Sequence, residues 1–508
     1  MKTKKTNFKK NTVTLFFFSL TFLVISSNIQ AQTVLPNVRV NTTDYHEVSV
    51  DAAGKRIAVL NDTVYAIWEG WLTDTTSNIY FVKSVDKGLT FSEDLPIFAG
   101  PDSILHLIPS IAVAQNGDIY IAWNAASNNE SYWNIWFTKS SDGGSTFLTP
   151  THITTSNACM FPCVGAYNNN VYIFYAEGSN FPNMNYHFVR STNGGISFES
   201  PIQVNDESGT GDIEFDKLTS MTIDTSGIIY LAWIDGRRAT GQGDVFFAKS
   251  TDNGQSFSSN VMVNDINQSG ADSVQGSPSI AAEGNNVYVS FVDRREGSGW
   301  ENARVYMAKS TDGGNTFSTE SYLVGHTGTC SFHDVTVSLN GKLSVAICSH
   351  IMPTGFGVWL YESTDGGNNF STPLALSDAF SNNFSAINII SNSDNEILAL
   401  WKDSREGDDI ENIYFAKTDL GVKIDELNFD NESFCIYPNP TNGSFSVSTQ
   451  NNNTNIEISI CNLQGQIIYK KAYSDTSNVN IDLEIPQGVY FVTIKLTDET
   501  KTIKLIKN

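Results

Sequence analysis

The chain of 508 residues is long enough for two or three domains, or for one large repeat domain with additions. Its formal net charge of −23 argues against nucleic acid as a partner, because binding a phosphate backbone requires a basic face. Six cysteines are too few for a disulfide scaffold in a chain of this length.

Residues 1–31 have the composition of a secretory signal peptide. Five lysines lie among the first ten residues, the apolar run 13–25 follows, and the small residue Ala31 ends a polar stretch. Such a segment is too short and one-sided for a membrane span, so we expect cleavage near Ala31. Since no later apolar run approaches ~20 residues, we predict an exported chain without a transmembrane span.

A short turn motif, Ser-x-Asp-x-Gly-x-x-Phe, recurs six times along the chain. Its central position is held by Asp86, Asp142, Asn193, Asp252, Asp312 and Asp365, at intervals of 51 to 60 residues. The acid can bond backbone N–H groups of the turn, and the glycine permits a conformation that other residues resist. We expect the phenylalanine ring to pack between neighbouring sheets, and we assign these six residues a structural role.

Four strand-like segments surround each motif, and their inner members are continuous apolar runs typical of strands buried on both faces. A seventh repeat follows the last motif over 384–417, but lacks its fourth strand. The segment 36–41 reads like fourth strands elsewhere, so we expect it to complete the last sheet and close a ring. The motifs resemble the Asp box, or BNR repeat, of sialidase-like β-propellers. The resemblance implies an all-β propeller, and the seven repeats counted in this sequence predict seven blades over 33–422.

The last part of the chain has a different composition after a linker over 423–433. Its markers are 437–440, 442–443, 463–465, 486–490 and the lysine-rich end 501–507. Alternating apolar residues predict a small antiparallel β-sandwich over 434–508. The motif order resembles the type A C-terminal sorting domain of the type IX secretion system of Bacteroidetes. This resemblance implies passage across the outer membrane, then removal of the tail and anchoring at the cell surface or release.

An acid and an arginine, two residues apart, follow the second inner strand in three repeats. They are Asp235, Arg237, Asp293, Arg295, Asp403 and Arg405. One hypothesis is a ligand site in a central funnel, where guanidinium groups bind a carboxylate or sulfate. The other is a set of Asp–Arg pairs that bridge loops between neighbouring sheets. The remaining repeats carry unlike residues there: Gly70 and Leu72, Ala125 and Ser127, Glu177 and Ser179, and His350 and Met352.

Sialidase activity requires features that the sequence does not single out. The resemblance implies six blades, an Arg-Ile-Pro motif, two further arginines and a Tyr/Glu nucleophile pair. The nearest match to the opening motif contains Arg39, which the periodicity assigns to an outermost strand. Two-carboxylate hydrolysis would use acids such as Glu69, Glu177, Asp235 and Asp293, whose separations the sequence does not define. No histidine has metal-ligand spacing, so we predict no metal and no cofactor, with weak structural calcium as the alternative.

Cys330 and Cys348 flank a hairpin that turns at 340–341, and they are the better candidates for a disulfide; two buried thiols are the alternative. The preferred function is a surface module that binds extracellular glycans or glycoproteins, exported through the type IX machinery to the cell surface or beyond, as a monomer. The alternatives are a glycoside hydrolase of exo-α-sialidase type and a structural or interaction protein of the cell envelope.

Overall fold

The computed structural model describes most of the chain from Thr33 onward. The described residues are 33–45, 47–49, 54–73, 76–98, 104–127, 133–154, 158–180, 183–207, 219–237, 243–264, 274–293, 295, 303–323, 330–351, 355–379, 384–407, 410–419, 434–437, 439, 441–453, 455–462, 465–474, 476–496 and 500–507. They contain strands and turns and no helix, which confirms the predicted all-β class. The chain divides into two compact units, 1–419 and 420–508.

The described part of the first unit contains seven antiparallel sheets. The two N-terminal strands are β1 (Thr33–Val34) and β2 (Val38–Arg39). Sheet 1 contains β3 (Glu47–Ser49), β4 (Ile57–Leu60), β5 (Thr63–Thr73), β6 (Thr76–Ser84) and β7 (Leu95–Pro96). Sheet 2 contains β8 (Ile104–Val113), β9 (Ile119–Ser127), β10 (Asn134–Ser140) and β11 (Thr151–His152). Sheet 3 contains β12 (Cys159–Tyr167), β13 (Asn170–Asn180), β14 (Asn183–Ser191) and β15 (Ile202–Gln203).

The other four sheets repeat this order of strands. Sheet 4 contains β16 (Thr219–Ile223), β17 (Ile229–Asp235), β18 (Asp244–Ser250) and β19 (Val261–Met262). Sheet 5 contains β20 (Val274–Glu283), β21 (Asn286–Asp293), β22 (Arg304–Ser310) and β23 (Ser321–Tyr322). Sheet 6 contains β24 (Cys330–Val337), β25 (Leu343–Ile351), β26 (Gly355–Ser363) and β27 (Leu374–Ala375). Sheet 7 contains β28 (Phe384–Ser391), β29 (Ile397–Asp403) and β30 (Asn412–Asp419), and both β1 and β2 pair with β30.

The second strand of each sheet contains a continuous run of buried residues, and in β17 and β29 every residue is buried. Such a strand is covered on both faces by neighbouring sheets, which explains why the sequence runs are continuous rather than alternating. The core is therefore built between sheets, with one apolar cluster shared by sheets 3, 4 and 5.

The first strands are joined by hydrogen bonds from each sheet to the next. Polar side chains of one first strand accept backbone N–H groups of its neighbour in five of these contacts. The seven contacts are Ile111 N to Lys55 O, Val164 N to Ser110 Oγ, Thr219 Oγ1 to Phe161 O, Ile280 N to Ser220 Oγ, Val335 N to Ser279 Oγ, Ile389 N to Asp334 Oδ2 and Arg56 N to Asn388 Oδ1. They connect sheet 1 through sheet 7 and sheet 7 back to sheet 1.

Each recurrent turn motif closes on its own serine and its central Asp or Asn. In the motif after β22, Ser310 Oγ donates to Asp312 Oδ1 at 2.6 Å, and the Gly314 N–H donates to Ser310 Oγ at 2.8 Å. Thr316 donates from its N–H and its hydroxyl to the same carboxylate. Hydrogen bonds from Ser84 and Thr90 lower the pKa of Asp86, the acid of the first motif, to about 2. The charge is thus held by donors of its own turn, as a structural role requires.

The phenylalanine of five of the six motifs packs edge-on against a ring of the preceding sheet's third strand, with centroids 4.8 to 5.3 Å apart. The pairs are Phe147 on Phe81, Phe198 on Phe137, Phe257 on Phe188, Phe317 on Phe247 and Phe91 on Phe415. The last pair joins sheet 1 to sheet 7. These contacts show why the motif carries an aromatic residue after the turn.

Substitutions at two adjacent glycines of the sheet 2 motif can distinguish the cost of backbone strain from the cost of close packing. Gly143 and Gly144 both have positive φ, 69° and 79°. A Cβ on Gly143 would have no neighbour within 4 Å, whereas one on Gly144 would overlap the ring of Phe81. We expect Gly143→Ala to lower the free energy of unfolding by about 1–2 kcal/mol from backbone strain. Gly144→Ala should cost about 1–3 kcal/mol more, from overpacking.

The measurement is urea unfolding followed by tryptophan fluorescence. All nine tryptophans lie before residue 420, so the signal reports the first unit. Equal destabilisation by Gly143→Ala and Gly144→Ala would contradict a packing role for the second glycine.

The second unit contains two antiparallel sheets. Its strands are β31 (Phe434–Tyr437), β32 (Ser444–Asn453), β33 (Ile456–Asn462), β34 (Ile467–Tyr473), β35 (Thr476–Asp482), β36 (Gly488–Lys495) and β37 (Thr500–Lys507). Strands β31, β32 and β35 form one sheet, and β34, β33, β36 and β37 the other. Both sheets contribute to one buried cluster that includes Val447, Ile458 and Val492.

No helix able to span a membrane occurs in the part of the chain that the structure describes.

Candidate functional site

The three arginines of the Asp-x-Arg pattern have closely similar surroundings. Arg405 donates from its N–H, Nε and Nη2 to the carboxylate of Asp403, at 2.6 to 3.0 Å. Its Nη1 contacts Asp378 at 2.5 Å, and its guanidinium lies 3.9 Å from the centroid of Tyr414. Arg237 repeats this arrangement with Asp235, Asp206 and Phe246, and Arg295 repeats it with Asp293, Glu320 and Tyr306.

The burial of these pairs favours the structural hypothesis over the ligand hypothesis. The arginine side chains are 8, 14 and 13% exposed at positions 237, 295 and 405, and their acids at 235, 293 and 403 are fully covered. Burial raises the pKa of Asp293, although the Arg295 guanidinium opposes that shift. Each guanidinium lies over the third strand of its own sheet and already contacts two carboxylates. A ligand anion would have to displace one of them.

In sheets 1 and 2, polar side chains of the second strand accept backbone N–H groups of the next sheet. Glu69 accepts the Trp71 indole N–H at 2.6 Å and the backbone N–H of Ile108 at 3.1 Å. Asn124 accepts the N–H of Phe161 at 3.0 Å. Ile108 and Phe161 have φ of 55° and 59°, which is strained for bulky residues and occurs at irregularities of β8 and β12. Glu69 and Asn124 therefore stabilise these strained turns of backbone.

Sheet 3 carries a different polar group at this edge. Oε2 of Glu177 on β13 lies 2.7 Å from Nδ1 of His187 on β14. The two side chains are 26 and 19% exposed. Burial lowers the pKa of His187, and the carboxylate of Glu177 opposes that shift. The ring of Tyr175 packs edge-on against His187 at 5.8 Å.

Tyr175 and Glu177 are a tyrosine and a glutamate in proximity, but their surroundings differ from those of a nucleophile pair. Tyr175 is 1% exposed, and burial, followed by nearby Cys159 and Glu177, raises its pKa. An activated nucleophile needs the opposite shift. The arginines that a sialidase site would need also differ, because those at 237, 295 and 405 form ion pairs with carboxylates of this chain.

Sequence reasoning missed two sets of contacts between sheets. A basic residue before the motif donates to a backbone carbonyl in the next sheet's motif: Lys83 to Gly143, Lys139 to Gly194, Arg190 to Asn253, Lys249 to Gly313 and Lys309 to Gly366. The recurrence of a basic residue one position before the motif serine could have indicated it. Lys55 of sheet 1 contacts Asp334 of sheet 6 at 2.5 Å and donates to Ile389 O at 3.1 Å. No sequence signal links those residues.

Other predicted positions are only partly described. The Cα partner of Cys330 is Ser349, and Cys348 is opposite Phe332 and buried. The side chain of Cys330 lies outside the described residues, as do those of Ser127, Ser179, His350 and Met352, so the disulfide stays a prediction. Arg39 contacts Asp44 and Glu406 from the outer strand of sheet 7. Within the described ranges, no three His, Cys, Asp or Glu side chains are grouped to hold a metal ion.

Comparison with known proteins identifies the C-terminal unit. Residues 435–508 match the family model of the secretion system C-terminal sorting domain, which confirms the prediction from the tail motifs. The domain indicates type IX secretion to the cell surface or the extracellular space, so the predicted localisation is also confirmed. No curated protein matches the chain significantly.

Solved structures, several of them sialidases, are similar to this chain at low identity. A protein of unknown function from Dyadobacter fermentans is 14% identical, with 64% of this chain and 97% of that one covered and a TM-score of 0.45. A leech intramolecular trans-sialidase is 13% identical, with 74 and 68% covered and a TM-score of 0.41. An α-L-arabinofuranosidase from Fusarium graminearum is 12% identical, with 76 and 98% covered and a TM-score of 0.47. TM-scores below 0.5 carry no conclusion about the activity of this chain.

Proposed function

We propose that residues 33–422 form a seven-bladed Asp-box β-propeller that binds extracellular glycans or glycoproteins. The hydrogen bonds between first strands support the ring, since they run through seven sheets and return from Asn388 to Arg56. The packing of Phe91 on Phe415 supports the same closure. A linker over 423–433 then leads to a β-sandwich tail over 434–508, supported by the two sheets that share one core.

One observation favours a binding role over sialidase activity: each of the three arginines already pairs with two carboxylates of this chain. Binding the carboxylate of a sialic acid requires guanidinium groups that can form new bidentate contacts. Arg237, Arg295 and Arg405 instead contact buried acids and lie over aromatic rings. A module at the cell surface that recognises glycans through other parts of its strand-end face fits both this geometry and the sorting tail.

The test uses the chain without residues 1–31, immobilised and exposed to glycans offered in matched forms with and without terminal sialic acid. We expect a subset of glycans to be retained, with retention of the two forms within twofold and no sugar released by mass spectrometry. EDTA should leave retention unchanged, since no metal is predicted.

Two outcomes contradict the proposal. Release of sialic acid or another sugar would establish the glycoside hydrolase alternative. Neither retention nor product would favour a structural or interaction protein of the envelope.

A further inference from the structure

Sheet 3 keeps the acid of the Asp–Arg pairs but has a serine at the position of the arginine. In sheets 4, 5 and 7 the acid stands two residues, and the arginine four, after the aromatic residue of the second strand. At the same positions after Tyr175, sheet 3 has Glu177 and Ser179. Sheets 1, 2 and 6 have no acid there. Sheet 3 alone therefore presents an acid without its arginine.

The ring that the arginine covers also has a counterpart in sheet 3. The register places Trp233 opposite Phe246 in sheet 4 and Trp401 opposite Tyr414 in sheet 7, and the guanidinium lies over the second ring of each pair. In sheet 3 the register places Tyr175 opposite His187. His187 thus occupies the position of the covered ring.

We propose that the space formed by Glu177 and His187, here called the sheet 3 niche, binds an arginine side chain of a partner protein in the way that sheets 4, 5 and 7 bind their own arginines. Glu177 is 26% exposed, whereas the acids of those sheets are fully buried. The position of the guanidinium in this arrangement is therefore known from three copies in the same molecule.

The existing contact between Glu177 and His187 is compatible with a ligand. Asp403 accepts the Trp401 indole N–H and the Arg405 guanidinium through the same oxygen, at 2.9 and 2.6 Å. A carboxylate at this position can therefore accept an indole N–H and a guanidinium together. Burial lowers the pKa of His187, which favours the neutral imidazole beside a bound cation. The net charge of −23 also favours approach of a basic partner.

Guanidinium fits this site better than ammonium. Each internal arginine combines parallel N–H donors to the acid with a flat contact on the ring, at 3.9 to 4.1 Å from its centroid. The planar guanidinium can make both contacts at once, whereas the ammonium group of a lysine or an amino sugar supplies only the positive charge. The proposal goes beyond glycan binding, because it concerns a protein partner and does not depend on any glycan being bound.

The experiment titrates the chain without residues 1–31 with the tripeptide acetyl-Gly-Arg-Gly-amide and with its citrulline counterpart, which has the same shape without the charge. One ion pair and one ring contact predict a Kd on the order of 1 mM for the arginine peptide. We expect at least tenfold weaker binding of the citrulline peptide. Glu177→Gln should weaken the arginine peptide by at least tenfold.

Ser179→Arg should fill the niche from within the chain, abolish peptide binding and raise the thermal midpoint. Ser127→Arg is the matched control, because position 127 is equivalent in sheet 2, where Ala125 replaces the acid; it should leave peptide binding unchanged. The proposal would be overturned if the two peptides bound equally well, or if the Ser179→Arg variant bound the arginine peptide as well as the unsubstituted chain does. Tighter binding of glucosamine oligomers than of the arginine peptide would overturn arginine as the occupant. Glycan retention, measured on the same variants, reports separately on the proposed function.

Discussion

Replacing Arg405 with alanine should lower the free energy of unfolding of the first unit by about 3–5 kcal/mol, because it leaves the buried carboxylate of Asp403 without its partner. Asp403 is fully covered and accepts three donors from Arg405. The variant also uncovers the ring of Tyr414, over which the guanidinium lies. Urea unfolding by tryptophan fluorescence measures the change.

Arg39→Ala is the matched control in the same sheet. Arg39 pairs with Asp44, and their side chains are 30 and 81% exposed, so removal of this arginine should cost only about 0–1 kcal/mol. Asp403→Asn added to Arg405→Ala should restore part of the lost stability, since it removes the unpaired charge and keeps an acceptor for Trp401. A loss below 1 kcal/mol in Arg405→Ala would show that the carboxylate is solvated despite its burial.

Acidification from pH 6.5 to 4 should destabilise the first unit by about 3 kcal/mol through a single histidine, at 1.36 kcal/mol per pKa unit. His106 is 2% exposed, and burial lowers its pKa to about 4. In the unfolded chain it takes up a proton near pH 6.5. Between these values the unfolded state binds more protons, so stability is complete above pH 6.5 and falls as the pH drops toward 4. Protonation of Nδ1 would also remove the acceptor for the Trp123 indole N–H, now at 2.8 Å.

His106→Gln keeps an acceptor for Trp123 and removes the titrating group. The free energy of unfolding, measured at half-unit steps between pH 4 and 8, should depend less steeply on pH in this variant than in the unchanged protein. Above pH 6.5 the two proteins should have the same pH dependence. Parallel curves for the two proteins would contradict the assignment. The motif acids titrate in a separate window, since Asp86 loses its charge near its pKa of about 2.

The features that could be read from the sequence are local. The turn motif bonds residues only two to four positions apart, as Ser310, Asp312 and Thr316 do, so its pattern is visible in any one copy. The all-β class follows from the length and apolar content of runs such as β17 and β29. The sorting tail is identified by motifs within 435–508.

Features that join distant segments required the tertiary structure. Both hypotheses for Arg405 were open because its second acid, Asp378, comes from another repeat and Asn37 from the other end of the chain. Lys55 likewise meets Asp334 across 279 positions. The proximity of Glu177 to His187 depends on the register of β13 against β14.

The sequence by itself determined the all-β class, the repeated turn and the export signal of the tail, because each depends on hydrogen bonding or periodicity within a few residues or on a continuous motif order. Only the tertiary structure decided that the three arginines pair with buried acids and that Glu177 of sheet 3 is partly exposed. Those outcomes depend on which side chains of different sheets meet, and on how much water their contact excludes.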